Sequence, residues 1–153
     1  MGDKKRKYLG FAWKLIFVAA VTMSVTNAAV LVAVPSPIQT TQDFIGAPIP
    51  QVESDYPGVV SWMVHEEKEA TLGSMLIGFL LAIVSWGSYR RGERWAWFAI
   101  LSTNIVYVVF YYTIHVLIGY TAFIPHVMML FVAIMVGLLL PVKEFFSSKI
   151  SKA

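Results

Sequence analysis

Long apolar segments are the feature of this sequence that most restricts its fold. Four are predicted, over residues 9–34, 71–89, 95–120 and 123–142. A helix needs about 20 apolar residues to cross the roughly 30 Å hydrocarbon layer of a bilayer, so these segments are candidate spans. Hydrophobic residues make up 58% of the chain and charged residues only 14%, which is low for a soluble domain. The sequence therefore predicts an all-α, four-transmembrane-helix bundle that forms a single integral membrane domain, residues 1–153.

Charged residues are unevenly distributed around these segments, and their distribution predicts the topology. Lys and Arg cluster in the amino-terminal tail, in the turn at 90–94 and in the tail after residue 142. The segment 35–70 instead holds six acidic residues and one lysine. Because Lys and Arg that flank spans remain on the cytoplasmic side, both termini are predicted to be cytoplasmic. Residues 35–70 are then a long outer loop between the first two helices, and the prolines up to Pro57 predict irregular structure there.

Three arginines lie in the short turn between the second and third segments, within the sequence RRGERWAW at 90–97. Arg90, Arg91 and Arg94 are predicted to anchor this turn at the inner membrane surface. Gly92 permits the chain reversal, and Glu93 can pair with a neighbouring arginine. The nearby aromatic residues are expected at the lipid headgroups: Trp86, Tyr89, Trp95 and Trp97. A site for an anionic lipid or a phosphate group is the functional alternative.

The turn at 89–97, YRRGERWAW, resembles the turn of uncharacterised small four-span prokaryotic membrane proteins. The resemblance covers these residues and little else of the chain. It implies the same four-span architecture and transfers no catalytic residue. The expected location of the chain is the plasma membrane of a prokaryote.

Small residues spaced four apart predict the faces on which helices pack, because association in lipid depends on close approach rather than on expulsion of water. Three segments carry such rows: Ala20, Ser24 and Ala28; Ser74, Gly78 and Ala82; Ala133 and Gly137. They are interpreted either as internal packing of one bundle or as contacts with another subunit. The fourth segment is the first candidate for an outward contact, through Ala133 and Gly137 beside Met128, Met129 and Met135.

The third segment carries a row of polar side chains, Asn104, Tyr107, Tyr111 and His115. Their spacing of three, four and four places them on one face of a helix. A polar row is unfavourable against lipid, so it is expected to face protein or a water-filled cavity. It is interpreted as hydrogen bonding between helices or as the lining of a ligand or proton site.

The three histidines of the chain all lie toward the predicted outer side of the membrane. His65, His115 and His126, together with Glu66 and Glu69, are candidate ligands of a metal ion. The sequence HEEKE at 65–69 lacks the second histidine of the zinc-protease motif H-E-x-x-H. A metal is therefore one hypothesis for an otherwise unknown cofactor, and solvated or hydrogen-bonded histidines are the alternative.

Several classes of function are excluded or disfavoured by what the sequence lacks. No phosphate-binding loop, dinucleotide fingerprint or nucleophile elbow occurs, and the absence of cysteine excludes thiolate chemistry. Lys14 is the only charged residue inside a predicted span, which argues against a transporter. The net charge of +3 arises from residues that flank the spans, so membrane lipids are the expected partners and nucleic acid is not.

The remaining interpretation is a non-catalytic accessory or assembly subunit that binds other subunits of a larger membrane protein complex. A respiratory or copper-monooxygenase complex in a prokaryote is the kind of membrane assembly that such a subunit could join. One alternative is a small-molecule-binding protein or channel that uses the polar row of the third segment. Another is a metal-dependent membrane oxidoreductase that uses the outer histidines.

The predicted topology can be tested by cysteine labelling, because the chain has no cysteine of its own. Single cysteines introduced at Thr41 and Ser147 are expected to react with a membrane-impermeant maleimide from opposite sides of the membrane. Labelling of both from the same side in intact cells or vesicles would reject the topology.

Overall fold

The computed structural model describes residues 6–33, 42, 45–119 and 124–146, and every regular element in them is helical. The elements are α1 (Arg6–Ala33), α2 (Ile49–Asp55), α3 (Val59–Gly87), a 3₁₀ turn (Tyr89–Arg91), α4 (Arg94–Leu117), α5 (Ile124–Leu139) and α6 (Val142–Phe146). The predicted all-α class is confirmed for this part of the chain.

Three of these helices, α1, α3 and α4, are long and apolar enough to cross a membrane. The apolar part of α1 has 26 residues and α4 has 24. α5 is also apolar but has only 16 residues, or about 24 Å at about 1.5 Å per residue. The structure thus supports a helical membrane protein with three candidate spans, and the fourth span stays a prediction.

The segment predicted as an outer loop contains two stretches of helix. α3 begins at Val59, two residues after Pro57, and continues to Gly87. The prediction of irregular structure before Pro57 was wrong, because α2 is helical. Pro48 takes the N-cap position and Pro50 lies in the first turn of α2, where a missing backbone N–H removes no intrahelical hydrogen bond.

Proline and glycine mark the ends of the later helices. α4 is followed by Gly119 at φ 75°, in the left-handed region that favours glycine. Pro125 lies in the first turn of α5, where proline removes no intrahelical hydrogen bond. α5 ends at Leu139, two residues before Pro141, which has no N–H to continue the helical ladder.

The described residues group into two compact units, one from residues up to 21 and from 79 onward, the other from residues 22–78. In the first unit, buried apolar side chains come from all its helices: Ala12, Ile16, Ala20, Leu81, Tyr89, Ala96, Ile100, Ile134, Leu138 and Phe145. In the second unit, the Ser24 hydroxyl donates a hydrogen bond to the Met75 carbonyl at 2.9 Å, which joins α1 to α3. The prediction of a single domain stays a prediction.

The small residues of the predicted rows are buried to different extents. Ala20, Ala82 and Gly137 are buried in the first unit and Gly78 in the second. The others are half-buried: Ser24, Ala28, Ser74 and Ala133. Small residues therefore lie within the chain's own packing in both units.

Gly137 makes the closest helix approach. A Cβ atom at this position would lie 2.5 Å from Ile16 Cγ1 and 3.2 Å from the Ala12 carbonyl oxygen. Gly137 thus faces α1 of the same chain, and the outward contact predicted for it was wrong. The physical reason is that α1 offers a small residue, Ala12, and a buried side chain, Ile16, at the same level.

Gly137→Ala should therefore destabilise the chain, by about 1–3 kcal/mol, because an added methyl group overpacks this contact. Gly73→Ala is the matched control, since nothing lies within 4 Å of its added Cβ on α3. The control should be neutral or more stable by about 0.5–1 kcal/mol, because alanine favours helix over glycine. Unfolding in mixed detergent micelles measures both, and equal stability changes would contradict the close approach.

Candidate functional site

The reversal between α3 and α4 is a compact hydrogen-bonded turn. Gly92 has φ 78°, as its predicted role in the reversal requires, and its N–H donates to the Tyr89 carbonyl at 2.8 Å. The Glu93 carboxylate accepts hydrogen bonds from Arg91 Nε and from Trp95 Nε1, each at 2.6 Å. These bonds, first that of Arg91, lower the pKa of Glu93 below its ordinary value. Glu93 is therefore ionised at neutral pH and ties both ends of the turn together.

The three arginines make different contacts. Arg91 pairs with Glu93, whereas Arg94 Nε donates to the Phe145 carbonyl at the end of α6, at 2.9 Å. Arg90 instead lies over the Trp86 ring, with 4.6 Å between its Cζ atom and the ring centroid, and pairs with no carboxylate among the described residues. All three arginines are exposed, and Arg91 and Arg94 form hydrogen bonds within the chain whereas Arg90 contacts an aromatic ring.

Tyr89 was predicted at the headgroups but is completely buried. Its hydroxyl donates to the Gly137 carbonyl at 2.7 Å. In a continued helix that carbonyl would accept from the N–H of residue 141, but residue 141 is proline. The hydroxyl of Tyr89 thus supplies the donor that Pro141 lacks. The sequence signal for this bond was a proline, Pro141, four residues after a glycine, Gly137, in an apolar segment.

Two further side chains complete this end of the first unit. Trp97 Nε1 donates to the Leu138 carbonyl at 2.9 Å, so Trp97 is half-buried rather than fully at the headgroups. The Phe145 ring lies against Tyr89, with 4.9 Å between centroids. The aromatic rings thus cover the Tyr89 hydrogen bond.

The neighbouring Glu144 carboxyl also lies at this end of the unit. Burial raises the pKa of Glu144 above its ordinary value, and a hydrogen bond from the Leu9 backbone partly opposes this increase.

The polar row of α4 begins in the core of the first unit. Asn104 is 4% exposed and continues a buried stripe formed by Ala96, Ile100 and Val108. Farther along the helix, the other members of the row are half-buried: Tyr107, Tyr111 and His115. The prediction that Asn104 avoids lipid agrees with its burial.

The aromatic members of the row stack on one another along α4. The centroids of Tyr111 and His115 are 3.9 Å apart, and those of Tyr107 and Tyr111 are 5.8 Å apart. His115 Nδ1 lies 2.8 Å from the Tyr111 carbonyl oxygen. Because a carbonyl can only accept, this contact assigns the proton to Nδ1, and Nε2 is the acceptor of the neutral ring. All three residues also make interactions beyond these.

Asn104 Nδ2 is buried without a hydrogen-bond partner among the described residues. It lies about 15 Å along α4 from Arg94 at about 1.5 Å per residue, which corresponds to the middle of a roughly 30 Å hydrocarbon layer. A buried donor without a partner costs about 1–3 kcal/mol. Asn104 is therefore the polar group at which an acceptor from outside the described chain would bind most favourably.

A groove of about 470 Å³ also lies on α4, but it does not include the polar row. Its lining residues are Phe98, Ala99, Leu101, Ser102, Ile105 and Val106, and most of its surface is apolar. The groove is open to the surroundings. It therefore has the character of a helix surface in contact with lipid.

The candidate metal ligands are dispersed in the described structure. His65 Nε2 lies 3.1 Å from Glu69 Oε1 on α3, and both side chains are 64% exposed. The neighbouring Glu66 is exposed as well. His115 is half-buried on α4 and His126 is exposed at the start of α5. No three His, Asp or Glu side chains within the described ranges come together to hold a metal ion. The metal hypothesis thus receives no support from this geometry.

Comparison with protein families, curated proteins and solved structures finds no match for this chain. Its function is therefore argued from its own residues and their geometry.

Asn104→Leu should stabilise the purified chain by about 1–3 kcal/mol, because it removes a buried amide whose donor is unsatisfied. Asn27→Leu is the matched control, since Asn27 Nδ2 donates to the Met23 carbonyl at 2.7 Å and the exchange breaks that bond. The control should show no such gain in a detergent unfolding titration. If Asn104→Leu instead destabilises the chain, the amide has an acceptor in the purified protein.

Proposed function

We propose that this chain is a non-catalytic subunit that assembles with other proteins in the membrane. In this proposal α5 is the fourth span, both termini are cytoplasmic and α2 lies on the outer side. The observation that supports assembly most directly is that α2 contains no buried residue. Isolated helices shorter than about 12–15 residues are marginal in water, so a seven-residue helix needs packing to persist. A partner protein would provide that packing.

Exposed apolar side chains lie in the sequence on either side of α2, within the same unit. Tyr56 is 66% exposed and Trp62 is 62% exposed, and Ile45 and Val59 are exposed as well. Tyrosine and tryptophan are enriched at protein interfaces because they combine a large apolar surface with a polar group. Several exposed apolar side chains in one polar stretch of sequence, here called the apolar patch, are typical of an interaction surface.

The length of α3 supports a position of this patch beyond the hydrocarbon layer. About 20 residues suffice to span that layer, so a span that ends at Gly87 begins near Lys68. Trp62 precedes that point. The acidic residues near it would be repelled by an anionic membrane surface: Glu53, Asp55, Glu66, Glu67 and Glu69. A protein partner is therefore favoured over a lipid surface as the contact of this patch.

A small, apolar and helical chain of this kind fits an accessory subunit of a respiratory or copper-monooxygenase complex in a prokaryotic plasma membrane. A second function, binding of a small molecule within the membrane, is favoured by the buried amide of Asn104. A ligand with a carbonyl or ether oxygen would supply the acceptor that this amide lacks. The oxidoreductase alternative has no comparable observation in its favour.

Photo-crosslinking in native membranes tests the assembly proposal. A benzophenone amino acid in place of Trp62 should crosslink to a discrete protein of a different sequence. The same probe in place of Val25, which is 61% exposed within α1 of the same unit, should crosslink mainly to lipid.

Purification in a mild detergent provides a second readout. The particle should exceed the 17.1 kDa of one chain and contain unlike proteins, and Trp62→Ala should release them while Trp62→Phe retains them. A functional particle of one chain, with Trp62 crosslinked only to lipid, would refute assembly.

A further inference from the structure

We infer that the surface of α1 and α3 beside the 3₁₀ turn binds one anionic phospholipid, with its phosphate between Lys14 and Arg90 and an acyl chain against Trp13, Phe17 and Trp86. This inference concerns the first unit and does not depend on the proposed partner at Trp62. It assigns a role to Arg90, the arginine of the turn that lies on Trp86 and has no carboxylate partner in the described structure.

An aromatic cluster forms the apolar part of this surface. The ring centroids of Trp13 and Trp86 are 5.5 Å apart, and those of Phe17 and Trp86 are 5.6 Å apart. The Ser85 hydroxyl donates to the Trp13 carbonyl at 2.9 Å and fixes the two helices at this level. Trp86 remains 49% exposed. The cluster is thus preformed and open to an acyl chain from the surrounding lipid.

Two cations lie on adjoining rings of this cluster. Lys14 Nζ is 5.8 Å from the centroid of Trp13, and Arg90 Cζ is 4.6 Å from that of Trp86. Side chains of an α-helix tilt toward its amino terminus, and α1 begins at the same end of the unit as Arg90. A lysine at position 14 can therefore reach from within its apolar helix toward the level of Arg90, as lysines near the headgroup layer do.

Neither cation is neutralised by the described part of the chain. The ion pairs found there are His65 with Glu69 and Arg91 with Glu93, so Lys14 and Arg90 have no carboxylate partner. Glu93 is already engaged by Arg91 and Trp95. A lysine inside an apolar helix is unfavourable without a counter-charge, and a phosphate group would provide it.

The chemistry of the surface selects the class of lipid. Two positive charges attract a headgroup with net negative charge more strongly than a choline headgroup, whose ammonium group they repel. Free phosphate could pair with the cations but would leave the aromatic cluster without an acyl chain. Phosphatidylglycerol satisfies both requirements and serves as the probe.

Native mass spectrometry of the full chain in mild detergent measures the affinity for added phosphatidylglycerol and phosphatidylcholine. Phosphatidylglycerol should bind more tightly. Lys14→Gln and Arg90→Gln should each weaken its binding about fivefold, the equivalent of about 1 kcal/mol per cation at an anionic surface. Lys143→Gln is the matched control, since it removes an exposed cation of the same unit outside this surface and should leave the affinity unchanged.

Arg90→Lys should retain binding, which separates loss of charge from loss of fold. Equal affinity for the two lipids would overturn the inference, as would an equal effect of Lys143→Gln, which would indicate attraction by total charge alone. Displacement of phosphatidylglycerol by millimolar inorganic phosphate would also overturn it, because the acyl chain would then contribute nothing.

Discussion

The hydrogen bond from Tyr89 to the Gly137 carbonyl is the interaction on which the packing of the first unit depends. Pro141 ends α5 and removes the N–H that this carbonyl would otherwise accept, so the buried carbonyl requires a donor from another element. Tyr89 provides it from the turn between α3 and α4. The same residue, Gly137, has no side chain, so Ile16 of α1 approaches it directly. One position of α5 thus joins α1 and the turn.

The neighbouring contacts follow the same principle. Carbonyls at the ends of α5 and α6 have no helical N–H to pair with, and side chains of α4 reach them. Trp97 donates to Leu138 and Arg94 donates to Phe145. Charge and aromatic patterns predict that Arg94 and Trp97 lie at the membrane surface. In the structure these two residues also cap the ends of helices. Attraction of cations to lipid headgroups accounts for the exposed position of Arg90. It does not account for the hydrogen bond from Arg94 to the Phe145 carbonyl.

The sequence predicted those parts of the fold that depend on length, polarity and local turn chemistry. Apolar runs located α1, α3 and α4, and Gly92 marked the reversal. Proline density was misleading at α2, because Pro48 and Pro50 occupy positions of a helix start where no N–H is needed. The burial of Tyr89 was missed because aromatic residues near arginines usually lie at headgroups. Small residues identified Gly137 as a contact, but periodicity alone does not say which helix it meets.

The polar row shows the same limit of sequence reasoning at the candidate site. Spacing predicts that Asn104 and His115 share a face, yet it does not predict which partner each side chain finds. Asn27 and Asn104 are the same residue type inside apolar helices. Asn27 donates to a carbonyl of its own helix, whereas the Asn104 amide has no acceptor in the described structure. That difference arises from side-chain rotamers and packing, which the pattern of residue types does not encode.

The contact between Ile16 and Gly137 has a consequence for biosynthesis. α1 is translated before α5, but part of the surface against which it packs belongs to α5. Until α5 is inserted, Ala12 and Ile16 have no glycine to receive them and Tyr89 has no carbonyl to bind. The nascent chain can therefore join α1 to α3 through the hydrogen bond from Ser85 to Trp13 before α5 is made, but closure of this unit waits for the synthesis of α5.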